Sequence, residues 1–209
     1  MVAAARTTRR KGRREALLQA AAKVFFEQGY AATSIDAIIE RAGGSKRNIY
    51  SEFGNKEGLF SAIVRENADK VLSPLVIEEI DGHDLRATLT AFGRHSMDAY
   101  MSPTLIGIYR IAITEANRFP DLVKSFYEQG PGRITVRLAE VLEAARERGE
   151  IQADDCLRLA GHFVGITRDN LHLQVVLGLR PPPSAKEAHE AVASAVEVFL
   201  NGVRRGQDK

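Results

Sequence analysis

Apolar residues recur every third or fourth position through most of the chain and nowhere alternate in twos, which predicts helix after helix and no sheet. Leu17, Ala21, Val24 and Phe25 form one stripe on a helix expected from Arg13 to Gln28 and closed by Gly29. Thr33 reads as the next N-cap, with Asp36 completing a capping box, and Ile35, Ile38, Ile39 and Ala42 then share a face. Gly43 stops that helix, and Ser45 caps a third in which Ile49 and Phe53 lie four apart on one buried side. A fourth helix is capped by Asn55 and carries Leu59, Phe60, Ile63 and Val64 toward Val71. Beyond Pro74 the pattern predicts helices at 85–101, 104–118, 121–129, 132–148, 155–177 and 185–203. They are separated by breaks at Asp81-Gly82, Ser102-Pro103, Phe119-Pro120, Gly130-Pro131-Gly132, Gly149 and Arg180-Pro181-Pro182-Pro183.

The polar positions complete the reading of residues 33–53. With Ile49 and Phe53 turned inward, Lys46, Arg47, Asn48, Tyr50 and Ser51 face outward from the third helix. Its N-terminus presents unpaired N–H groups and partial positive charge, so Ser45, Lys46 and the neighbouring Lys56 suit phosphate oxygens. Guanidinium and amide groups such as those of Arg47 and Asn48 match base edges in a DNA major groove. Basic residues alone would be an ordinary solvated face. The sequence of short helix, glycine turn and short basic helix points instead to a helix-turn-helix.

Composition adds the distribution of charge. The 209-residue chain carries a net charge of +2, and 44% of its residues are hydrophobic, a globular balance. Residues 1–60 hold eleven Lys and Arg against six Asp and Glu, whereas the remainder is net acidic. Arg6, Arg9, Arg10, Lys11, Arg13 and Arg14 lie in the first fourteen residues with no acid among them. An arm over residues 1–12 can follow phosphates or enter a minor groove, and it can equally serve as a solubilising tail. Neither a signal peptide nor a stretch of about eighteen apolar residues is present, which points to the cytoplasm and away from the membrane.

The run from Gly29 to Phe60, GYAATSIDAIIERAGGSKRNIYSEFGNKEGLF, resembles the DNA-binding signature of TetR-family transcriptional regulators. The matching positions are Gly29-Tyr30, Thr33-Ser34, Ala42-Gly43, Ser45-Lys46, Tyr50 with Phe53, and Lys56-Glu57 before Leu59. The resemblance implies DNA contacts from Thr33, Ser34, Ser45, Lys46, Arg47, Asn48, Tyr50 and Lys56. Gly44 departs from the family pattern, which has a small apolar residue there. Residues 104–202 resemble more weakly the AefR-like C-terminal domains of one TetR branch, which implies an all-helical ligand and dimerisation domain.

The expected architecture is therefore all-α. A three-helix helix-turn-helix domain over residues 1–55 precedes a helical ligand-binding and dimerisation domain over 56–209. Ala188, Val192, Ala195, Val196, Phe199, Leu200 and Val203 on the last helix, with Leu157, Ala160, Gly161, Val164 and Ile166 on the one before, suggest half of a four-helix bundle between two copies. Tyr109, Phe163 and His172 are the candidates for lining a small-molecule pocket. The five His residues lack metal-ligand spacing, Cys156 stands alone, and no phosphate loop, nucleophile elbow or paired carboxylates occur. No cofactor, metal or catalytic residue is expected. The function expected is a ligand-responsive transcriptional regulator, a dimer that binds double-stranded DNA at a palindromic operator and is released by a small-molecule effector. The alternatives are a non-specific, nucleoid-type DNA binder and, less well supported, an all-helical enzyme.

Overall fold

Pro103, Pro120 and Pro131 each stand first in a helix of the computed structural model, where the missing N–H costs no hydrogen bond and the fixed φ suits the helix. The breaks predicted around them thus become helix starts. The structure describes residues 2–73 and 84–203, with side chains from Gly12 to Gly202. The predicted break at Asp81-Gly82 lies outside the described residues. Ten helices are described: α1 Val2–Gln28, α2 Ile35–Ala42, α3 Lys46–Phe53, α4 Lys56–Leu72, α5 Leu85–Tyr100, α6 Pro103–Thr114, α7 Pro120–Gln129, α8 Pro131–Glu147, α9 Cys156–Val176 and α10 Ala185–Val203. No strand occurs among the described residues, and the fold is all-helical. Helix α1 begins at Val2 rather than near Arg13, because alanines and arginines continue it backward with no helix breaker before Gly12.

The helices group into two compact units, residues 1–66 with 103–129, and residues 67–102 with 130–209. The division expected from sequence is linear, at residue 55. The packing instead places α6 and α7 with the N-terminal helices.

In the first unit, Phe25, Tyr30 and Phe60 form an aromatic cluster with centroid separations of 5.5, 5.6 and 5.8 Å. Ile38, Ile49 and Leu59 are buried with them, so each of α2, α3 and α4 contributes an anchor. Leu18 rather than Leu17 is buried on the α1 stripe, beside Ala21, Ala22, Val24 and Phe25. Helices α6 and α7 pack tightly here. A Cβ on Gly107 would fall 2.4 Å from the Phe26 ring, and the Phe119 ring centroid lies 5.2 Å from that of Tyr30. The hydroxyls of Ser61 and Ser125 are 2.6 Å apart.

In the second unit, the Phe163 ring lies 6.0 Å from Phe92 and 4.8 Å from Phe199, joining α9 to α5 and α10. Leu89, Leu138, Val192 and Val196 close the core. Asp84 and Asp155 cap α5 and α9 by accepting from the backbone N–H groups of Arg86 and Arg158.

Candidate nucleic-acid interface

The turn before α3 is made by two glycines. Gly43 has φ 71° and Gly44 φ 111°, both in the region where a side chain is strained. Gly44, the departure from the family pattern, is thus required by the local backbone. The cap of α2 is Ser34, whose hydroxyl accepts from Ala37 N–H at 3.1 Å. Thr33, the cap expected from sequence, is only 3% exposed and donates its hydroxyl to the Gly29 carbonyl at 2.7 Å. It therefore sits inside the first unit and does not reach the outer face.

Ser45 caps α3 as expected, accepting from Asn48 N–H at 3.3 Å. Only Ile49 is fully buried in this helix. Lys46, Arg47, Asn48 and Ser51 are exposed, and Tyr50 is half-exposed at 50%. One short helix thus offers a cation, a guanidinium, an amide and a phenol from a single solvent-facing surface. Lys46 Nζ rests 2.9 Å from Asp36 on α2. That pair is open to solvent, hence weak, and can yield the ammonium to a phosphate.

Two basic residues in this region are committed inward. Lys56 Nζ donates to the carbonyls of Tyr30 at 2.8 Å and Thr33 at 3.0 Å, and lies 4.5 Å from the Tyr30 ring centroid. Burial lowers its ammonium below the ordinary lysine value. Tyr30 in turn is pushed up to about 12 by burial and by the nearby Glu57 and Glu115. Glu115, at the end of α6, accepts from Ala31 N–H at 3.3 Å. The α1–α2 loop is therefore held by Lys56 from one side and Glu115 from the other. Arg14, placed by sequence in the basic arm, instead braces three helices: its guanidinium reaches Glu52 at 2.9 Å and Glu66 at 2.7 Å and lies 5.6 Å from the Phe53 ring centroid. An open cleft of about 370 Å³ beside it is lined by Arg13, Ser45, Asn48 and Glu52 among others. Neither role has a local signal, because each partner is distant along the chain. The side chains of Arg6, Arg9, Arg10 and Lys11 lie outside the described residues.

Residues 17–63 match the family described as bacterial regulatory proteins, tetR family. Residues 87–202 match the AefR-like transcriptional repressor, C-terminal domain. The chain belongs to the TetR family of transcriptional regulators. Among its relatives, the repressor KstR2 of Rhodococcus jostii (strain RHA1) is 30% identical over 165 residues, 76% of this chain and 77% of that protein. The repressor ComR of Escherichia coli (strain K12) is 42% identical over 57 residues, and the chain spans only 27% of its length. The solved structure of the flavonoid-responsive regulator FrrA superposes with a TM-score of 0.72 at 30% identity, covering 94% of this chain and 99% of that one. This TetR-family chain is therefore a DNA-binding transcriptional regulator.

The candidate ligand residues are distributed over both units. Tyr109 belongs to the first unit and packs against Phe126 at 5.1 Å. Phe163 is fully buried in the second unit as a core residue. His172 is buried there too, against the Tyr100 ring at 5.5 Å. The apolar stripe of α10 also turns out to serve the chain's own core, with Ala188, Val192, Ala195, Val196, Phe199 and Leu200 all buried. The apolar groups left exposed in this region are different: Leu157, Gly161, Gly165, Ile166 and Leu173 along α9, and Val198 on α10. Among the described residues no group of three metal-ligating side chains gathers, and no helix is long and apolar enough to cross a membrane.

Proposed function

We propose that this TetR-family regulator is a cytoplasmic repressor that binds a palindromic operator as a homodimer and leaves it when a small-molecule effector binds. The observation that carries the reading is α3: capped by Ser45 and anchored by Ile49, it turns Lys46, Arg47, Asn48, Tyr50 and Ser51 to solvent. Arg47 and Asn48 read base edges, Tyr50 packs on the groove wall, and Ser34, Ser45 and Lys46 grip phosphates. Thr33 and Lys56 support this face from within, one through Gly29 and the other through the α1–α2 loop.

Dimerisation is supported by the exposed α9 stripe. Gly161 and Gly165 permit close approach while Leu157, Ile166 and Leu173 supply apolar area. Two copies so joined set their recognition helices about 34–36 Å apart, one turn of DNA. The effector class is suggested by FrrA: an aromatic compound of the flavonoid type. Release follows if that compound prefers an arrangement in which the two heads no longer fit the groove spacing.

The test is capture of genomic fragments by the purified full-length protein, followed by footprinting. A protected inverted repeat, lost when an effector is added, is expected. Equal affinity for captured and random DNA would instead favour a non-specific binder.

A further inference from the structure

The corner between α6 and α7 reaches the α1–α2 loop through the carboxylate of Glu115. This residue follows the last of α6, and its backbone is fixed on both sides. Its N–H donates to the Ile111 carbonyl at 2.9 Å, and its own carbonyl accepts from Arg118 and Phe119 N–H at 3.0 and 2.8 Å. From this fixed corner the side chain accepts from Ala31 N–H at 3.3 Å. Among the described residues that N–H donates to no other group, so without Glu115 only solvent could satisfy it. Beside it, the Phe119 ring meets Tyr30 edge-on, 5.2 Å between centroids at 76°.

The loop also depends on Lys56, and Lys56 on Glu115. The carbonyls of Tyr30, Ala31 and Thr33 accept from Lys56 Nζ at 2.8, 3.4 and 3.0 Å, which uses all three donors of an ammonium. These carbonyls supply dipoles but no net charge. Burial and the Arg118 guanidinium both disfavour the charged form of Lys56, and the charge that favours it is that of Glu115. One carboxylate therefore holds the Ala31 N–H directly and the three carbonyls through the cation. The loop leads straight into the DNA-facing elements. Thr33, whose carbonyl is one of the three, is followed by Ser34, the cap of α2, and Asp36 in the first turn of α2 meets Lys46 of α3 at 2.9 Å. A loop that moves takes the start of α2 with it.

We propose that Glu115 is a positioning residue for DNA binding, holding the Ser34 end of α2 in register with the exposed face of α3 through the α1–α2 loop and Lys56. It touches no DNA itself. The assignment rests on α3 as the face that meets DNA, and adds that the affinity of that face is set from the α6–α7 corner, outside the helix-turn-helix sequence. A loop that occupies its binding position only part of the time lowers the apparent affinity by that fraction. Losing a charge-assisted hydrogen bond and the cation's countercharge is expected to lower the fraction about tenfold.

The test compares full-length wild type, Glu115→Ala, Glu115→Gln, Lys56→Met and the Glu115→Ala/Lys56→Met double variant by fluorescence anisotropy. Each is measured on a captured genomic fragment and on a scrambled duplex, well below its melting midpoint. Glu115→Ala is expected to bind both duplexes about tenfold more weakly with an unchanged salt slope, since no phosphate contact is lost. Glu115→Gln keeps an acceptor for Ala31 N–H and should recover part of that loss. In the Lys56→Met background Glu115→Ala should cost less than in wild type, because its second partner is gone. Two local signals set this apart from a general loosening. Hydrogen exchange should quicken at the Ala31 amide in Glu115→Ala with exchange elsewhere unchanged, and the Lys56 ammonium, followed by NMR, should titrate lower in Glu115→Gln. Wild-type affinity in Glu115→Ala overturns the proposal, as does a reduced salt slope, additive losses in the double variant, or a Lys56 titration that stays in place. Wild type that binds neither duplex would overturn the reading of α3 as well.

Discussion

Helices α3 and α5 place their polar residues in opposite ways. In α3 one residue of eight, Ile49, is fully buried, and the polar side chains around it face solvent. In α5 eight of sixteen are buried, and Thr88, Ser96 and Tyr100 are among them. A short surface helix held by one anchor must obtain its stability from the unit beneath it, so its outward residues are left to bind something. A half-buried helix already has its core, so a polar residue pointing inward is the exception that needs a reason. The first arrangement makes function legible in the residue types themselves. The second leaves its polar residues among apolar neighbours, where residue type alone assigns them no role.

The largest effects should come from the anchors, and they should stay within their own units. Phe163→Ala, which removes the ring joining α5, α9 and α10, is expected to cost about 3–5 kcal/mol, and Ile49→Ala about 2–5 kcal/mol. Urea denaturation checks the totals. Amide hydrogen exchange checks the location, with loss of protection in α2–α3 for the second variant and in α5, α9 and α10 for the first. Protection lost evenly across the chain in both variants would erase the contrast between the two regions.

Lys56 sharpens it next. With its ammonium bonded to the Tyr30 and Thr33 carbonyls, Lys56→Met is expected to cost about 1–3 kcal/mol of stability. The salt dependence of DNA binding should be unchanged. A salt slope reduced by about one unit at unchanged stability would make Lys56 a phosphate contact instead. Arg14→Ala should act in the same sense but less, about 1 kcal/mol, because its guanidinium is a third exposed and its carboxylate partners are solvated. A normal melting curve with weaker binding to all DNA would return Arg14 to the basic arm.

A further effect is in the second unit and depends on pH. His172 is held near 4 when folded, against an ordinary value of 6.5. The unfolded chain therefore binds the extra proton first, and stability should fall as pH drops from about 6.5 toward 4, then level off. His172→Gln should flatten that stretch of the stability profile. An unchanged slope would place the pH sensitivity elsewhere.

These contrasts explain what the sequence discloses. The helices and their order follow from periodicity and from proline and glycine punctuation, and Ser45, Ile49 and the outward face of α3 follow from local spacing alone. Ser34 took the cap from Thr33 because Thr33 finds a closer acceptor in the Gly29 carbonyl, a tertiary choice that spacing does not encode. Lys56, Arg14 and Glu115 are braced by partners many residues away, so their charges look available in sequence and are committed in the fold. The α10 stripe shows the same ambiguity from the apolar side. Periodicity states that Val192, Val196 and Phe199 are buried, but not whether the cover is the same chain or a second copy.

The central claim is that the exposed face of α3 reads sequence. It is tested most directly by fluorescence anisotropy of wild type, Arg47→Ala and Asn48→Ala on the footprinted operator and on a scrambled duplex of equal length and salt. The account predicts that each substitution costs about 1–3 kcal/mol on the operator and much less on the scrambled duplex. Equal losses on both duplexes would show that these residues hold only the DNA backbone, and would contradict it.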